Sequence, residues 1–151
     1  MPGTTNRWKY ASLATYFRND ATQTPGGFSG RLITNAVVPN EDTNLFSELT
    51  EIAVGNGYVA GGISLNRNAT DFDVLTEDDV NNRGLVQIKD LVWNASGGPI
   101  PASGSGASYL ITCDDEASPQ VNGFHSLGSA VSVSDGQSLT IQDVEFRLDE
   151  A

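Results

Sequence analysis

"GNGYVAGGISL", residues 55–65, places four glycines in eight positions and then runs into the alternating Ile63 and Leu65. Three readings compete for such a stretch: a phosphate cradle, a flexible hinge, or a turn that launches a β-strand. A phosphate loop requires Lys-Ser/Thr after its glycines, or a G-x-G-x-x-G turn leading into a helix. Here the spacing is Gly55, Gly57, Gly61, Gly62, no lysine follows, and the next residues alternate like a strand. With no helix behind it, the turn also lacks the dipole that anion sites use. The structural reading prevails. Gly55 and Gly57 permit positive φ in a turn. Gly61 and Gly62, read as lying within the strand, permit a bulge or the close approach of another segment. Tyr58, exposed-looking between them, is expected to lay its ring over the gap. An alternative places Tyr58 and these glycines in contact with a partner.

Outward from this stretch the chain reads as β. Candidate strands are 28–38, 57–66, 84–93, 107–113, 120–133 and 138–148, separated by segments such as "NRNAT", "EDDVNN" and "SVSDGQ". Their Gly, Asn, Asp and Ser residues each favour turns for a different backbone reason. Short strands with frequent turn signals predict an antiparallel β-sandwich or barrel; the fold class expected is mainly β, a jelly-roll-like antiparallel sandwich. Two strands break phase. Val86 and Ile88 share one parity while Leu91 and Trp93 share the other, and Leu139 and Ile141 are likewise out of step with Val144, Phe146 and Leu148. A one-residue slip turns an apolar set to the wrong face unless a bulge restores it. Lys89-Asp90 and Gln142-Asp143 therefore read as bulge sites. The segment 97–106, "GGPIPASGSG", reads as a long flexible surface loop.

Two short helical signals accompany the strands. Residues 7–19 set Tyr10, Leu13, Ala14 and Phe17 at i, i+3, i+4, i+7. This predicts a helix over these residues capped by Asn6, with Pro25-Gly26-Gly27 stopping anything that continues and the stripe packed on the body. Leu45, Leu49 and Ile52 fall on one helical face and predict a turn or two near 43–52. The expected organisation is an N-terminal arm and helix over 1–30 and a β-sandwich over 31–151. The expected core comprises Leu13, Phe17, Leu32, Ile33, Leu49, Ile52, Ile63, Leu65, Val86, Ile88, Trp93, Leu110, Ile111, Val144, Phe146 and Leu148. Leu32 and Ile33 are neighbours, so one of them should fail if their strand is solvated on one face.

Composition narrows the function. At 151 residues the chain suits a single domain, burying about 68–70% of its unfolded surface. Its 8 Lys+Arg against 19 Asp+Glu give a formal charge of −11. Nucleic-acid binding by phosphate neutralisation needs a basic surface, and only Arg7, Lys9 and Arg18 cluster. No apolar run of signal-peptide or membrane-span length is present. The single Cys113 forms no internal disulfide, reads as a packed thiol, and points to synthesis in a reducing compartment. His125, the only histidine, reads as a surface or loop residue, because no G-x-S-x-G elbow accompanies it. Acidic groups at Asp71/Asp73, Glu77-Asp78-Asp79 and Asp114-Asp115-Glu116 lack the EF-hand spacing and read as solvated turns, with a weak calcium site as the alternative. The sequence nominates no catalytic, cofactor-binding or metal-binding residue.

Four segments carry a resemblance: "RLITNAVVPNEDTNLFSELTEIAVGNGYVAGGISL", "VQIKDLVWNASGG", "ASYLITCDD" and "SDGQSLTIQDVEFRL". From about Arg31 to Leu148 the chain resembles small virion proteins of tailed bacteriophages, most specifically at "GNGYVAGG" and "LVWNASG". The resemblance implies a non-enzymatic, β-rich virion protein made in the host cytoplasm, a head decoration or cement protein. Its implied partners are the major capsid protein or other virion proteins, with homo-oligomers, no nucleic acid and no membrane. The partner contact is expected at Trp8, Lys9 and Tyr10, aromatics beside the local positive charge, with Tyr58 as a further contact. Two other readings stand: a tail or neck component, and a carbohydrate-binding adhesion module using Trp93, Tyr58 and Tyr109.

Overall fold

A computed structural model describes residues 3–149; the ends 1–2 and 150–151 of the two expected segments lie outside the described residues. Ten strands and one α-helix follow in the order β1 (Gly3–Thr4), α1 (Asn6–Arg18), β2 (Gly27–Ile33), β3 (Ile63–Asn66), β4 (Val74–Asp78), β5 (Arg83–Ile88), β6 (Leu91–Asn94), β7 (Ala107–Asp114), β8 (Val121–Val131), β9 (Ser138–Ile141) and β10 (Val144–Asp149). The fold is mainly β, with antiparallel sheets and one N-terminal helix. A five-stranded sheet runs β1-β8-β7-β2-β3, beside a three-stranded sheet β10-β5-β4 and the pair β6-β9. β4 was not among the expected strands. Its sequence, VLTED, is short, exposed and charged, as suits a sheet edge.

The expected strand 57–66 is really two turns followed by β3. Gly55 and Tyr58 exchange both backbone hydrogen bonds, at 2.8 and 3.1 Å, around Asn56-Gly57. Both tip residues have positive φ, 57° and 110°, the geometry that makes Asn-Gly a favoured hairpin turn. Val59 to Gly62 then close a second turn, with the Gly62 N–H donating to the Val59 carbonyl at 3.0 Å. Gly62 has φ of 66°, and a Cβ there would stand 1.9 Å from the Gly30 carbonyl oxygen. It thus provides the expected close approach, but from the turn instead of the strand. Gly61 is also a turn residue; its N–H reaches the Glu51 carboxylate at 2.9 Å.

Tyr58 between these turns is 1% exposed, which corrects the expectation of a surface contact. Its ring lies 6.1 Å from that of Trp93. β3 pairs with β2 only as far as Gly30, leaving the rest of that edge to be satisfied otherwise. The Tyr58 hydroxyl accepts from the Leu32 N–H at 3.0 Å and donates to Glu51 at 2.8 Å. Residues 50–52 cover the remainder, through Ile52 N–H to Leu32 O and Thr34 N–H to Thr50 O. Two turns and one side chain finish what β3 begins.

Leu32 and Ile33 are both fully buried, so neither fails. Leu32 belongs to the main core with Leu65, Leu110, Ile88, Leu91, Trp93, Ile141 and Phe146. Ile33 belongs to a second core with Phe46, Leu49, Ile111, Cys113 and Val121. The five-stranded sheet is therefore covered on both faces. A 3₁₀ turn over Phe46–Glu48 supplies the second cover, and Glu48 fastens its start by accepting from the Leu45 N–H at 2.7 Å.

The phase breaks fall where expected but are not bulges. Ile88 pairs with Val144 and Leu91 with Ile141, so two residues on one strand face two on the other and the register is unshifted. A bulge would set two against one. The ribbon β5-β6/β9-β10 instead turns over as a unit, with Asp143 in the left-handed region at φ 55°. Both halves then face the same core. The 97–106 segment is likewise anchored: Ile100 is buried, and its backbone exchanges two hydrogen bonds with Val133. The expected boundary at 30/31 falls within β2 (Gly27–Ile33), and β1 (Gly3–Thr4) pairs with β8.

Candidate functional site

Helix α1 carries the expected period but faces the other way. Thr5, not Asn6, is the cap: its hydroxyl accepts from the Trp8 N–H at 3.1 Å and donates to the Val121 carbonyl at 2.6 Å. Asn19, at φ 49°, ends the helix where the 7–19 pattern ends, before Pro-Gly-Gly is reached. Of the predicted stripe only Ala14 is buried; Tyr10, Leu13 and Phe17 are 52%, 56% and 74% exposed, joined by Tyr16 at 83%. Lys9, also exposed, shares this outer face. Leu13 and Phe17 therefore leave the core, as does Leu148 at 52%. The inward side is small and polar, with Ala11, Ser12 and Thr15 over a hollow.

That hollow is one lobe of a cleft. The first lobe, 330 Å³, lies between α1 and residues that include Gln23, Phe28, Asp114 and Gln120. The second, 390 Å³, is walled by Trp8, Phe28, Phe72, Leu75, Val86 and Phe146. Trp8, Phe28, Arg67 and Asn122 line both. The aromatic wall is self-supporting: Trp8 and Phe146 centroids are 5.8 Å apart, and Phe28 meets Phe72 edge to face at 5.5 Å. Arg7 bonds the side-chain oxygens of Gln120 and Gln23, and its guanidinium sits 5.6 Å from the Tyr10 ring centre. Asp114, buried, accepts from the Gln120 N–H at 2.9 Å.

Asn122 floors the cleft. It is 7% exposed, and its side-chain oxygen has no hydrogen-bond partner. Sequence reasoning missed it; Asn122 stands beside Val121 in a strand rich in polar residues and glycine, so nothing local marked it as buried.

The remaining candidates separate. Trp8 belongs to the cleft, while Lys9 and Tyr10 point to solvent on α1. The set Trp93, Tyr58 and Tyr109 forms no exposed platform, because Trp93 and Tyr58 are core residues and Tyr109 packs on the opposite face of the sheet. His125 is half-buried on β8, not in a loop, and burial lowers its pKa. Cys113 is buried as expected, its thiol pushed up to about 12 by burial. Asp71 is no solvated turn residue. It is buried, bonds Lys89 and accepts from the Asn66 N–H at 2.7 Å, and these partners hold its carboxyl below its ordinary value. Among the described residues no group of three His, Cys, Asp or Glu stands close enough to hold a metal, and no helix is long and apolar enough to cross a membrane. Comparison with protein-family models, with curated proteins and with solved structures finds no match.

Proposed function

We propose that this chain is a non-enzymatic structural protein of a phage particle that binds the assembled head lattice as a decoration or cement protein. One observation carries the reading: the outer face of α1 presents Tyr10, Leu13, Tyr16 and Phe17 to solvent. Contiguous exposed apolar groups of this kind mark interaction surfaces, and aromatics are enriched in interface cores. Charge reinforces it. Helix α1 holds three of the eight basic residues and none of the nineteen acidic ones. Two of the three, Lys9 and Arg18, are exposed, so the helix is locally cationic on a strongly anionic body, whose remaining surface suits a solvent-facing layer. Weak single contacts suffice on a lattice, because linked, repeated sites multiply affinity.

The test is co-sedimentation with heads of the phage that encodes the protein. The chain is expected to pellet with expanded heads and not with unexpanded ones, and Tyr16→Ser/Phe17→Ser is expected to abolish pelleting while leaving the melting temperature unchanged. Recovery with isolated necks or tails would transfer the protein to that position. Recovery with none of them would end the virion reading.

A further inference from the structure

The cleft beneath α1 has a chemistry that lattice docking through the outer face does not use. Its lobes, 330 and 390 Å³, fall within the range of about 300–1,000 Å³ typical of small-molecule sites. One wall is aromatic, from Trp8, Phe28, Phe72 and Phe146, and the other mixes donors and acceptors. The polar wall is already ordered: Arg7 is held between Gln120 and Gln23, and Arg67 donates to the Pro25 carbonyl at 3.1 Å. Side chains fixed before binding lose little freedom when a ligand arrives. At the floor, the Asn122 oxygen is a buried acceptor without a donor. Most such groups in folded proteins are satisfied, and each exception calls for an explanation.

We propose that the cleft is a saccharide site. It would take one pyranose unit of a glycan, with the C–H face of the ring against the aromatic wall and a hydroxyl donating to Asn122 Oδ1. A wholly apolar ligand would leave Asn122 Oδ1 unmet. A phosphate-rich ligand would face Asp114 and Glu116 in the same lobe and a chain of charge −11. A polyol supplies donors and acceptors together with an apolar face, which matches both walls. Of the outer face, Tyr16 also borders the first lobe, whereas Tyr10, Leu13 and Phe17 line neither, so Phe17 is the position that separates lattice docking from glycan binding.

The full chain is to be tested on an array of bacterial surface polysaccharides, with free hexoses, N-acetylhexosamines and hexuronic acids as competitors. The expected result is binding to at least one glycan, displaced by its free sugar and accompanied by a change in Trp8 fluorescence that Trp8→Phe removes. Asn122→Leu deletes the acceptor while keeping the branched skeleton of the side chain, and is expected to weaken binding by roughly tenfold or more while melting at or above the wild-type temperature. Arg67→Met, on an exposed side chain, is the second variant should Asn122→Leu not fold, with the same weakening expected. Phe17→Ser should bind glycan normally. Absence of binding to every glycan and sugar at millimolar concentration would overturn the proposal. So would binding indifferent to a folded Asn122→Leu, or to Arg67→Met.

Discussion

Tyr58 concentrates the difference between what a sequence displays and what a fold uses. The glycines around it announce a shaped turn, and the turn is there. The hydroxyl's partners, Leu32 and Glu51, lie 26 and 7 residues away, and no local pattern points to either. Replacing Tyr58 with Phe leaves the buried Leu32 N–H without an acceptor, so Tyr58→Phe is expected to destabilise by about 1–3 kcal/mol in urea unfolding. An unchanged midpoint would show that water replaces the hydroxyl. Asp71 was equally hidden, since an acid between Thr70 and Phe72 reads as any turn residue. Its hydrogen bond to Lys89, then that from Asn66, lowers its pKa from the ordinary 3.8. The folded carboxyl is thus the stronger acid, and its stabilising contribution is complete above 3.8 and lost as pH falls through the lower folded value. Asp71→Asn is expected to be less stable than wild type at neutral pH, with the gap closing below pH 3.8. A gap constant down to acid would mean that the charge contributes nothing.

Among the elements, periodicity was legible and direction was not. The i, i+3, i+4, i+7 pattern found α1 to within a residue at each end, yet its stripe faces outward, because Thr5 and Trp8 fix the helix's rotation through contacts with β8 and β10 that sequence spacing does not encode. The strand breaks were legible to the residue for a better reason: parity is counted along one strand and needs no partner. Only the cause required the structure, since two matched interruptions look like two separate bulges until the strands are paired. That arrangement places Asp143 in a conformation that asparagine and aspartate tolerate and β-branched residues do not. Asp143→Val should therefore destabilise by about 1–2 kcal/mol, measured by thermal or urea unfolding. A neutral result would mean that the ribbon turns over without the left-handed residue.

For the whole molecule, mainly-β architecture and most of the core could be read from alternation and turn chemistry. What escaped was the second covering of the five-stranded sheet. One solvated face was the natural assumption, and segment 34–51, with its single 3₁₀ turn, gave little sign of being a lid over Ile33 and Ile111. The cleft escaped for the complementary reason: a void is defined by what distant side chains fail to fill. The double covering also implies an order in which the molecule opens. β7 is bonded on both edges and roofed on both faces, whereas β4 has one neighbour and an exposed outer side. In heavy water, backbone deuteration should reach Val74–Asp78 early and Leu110–Cys113 last, the latter only through global unfolding. Equal rates at the two strands would mean that the sheet breathes as one body, with its middle no better guarded than its margin.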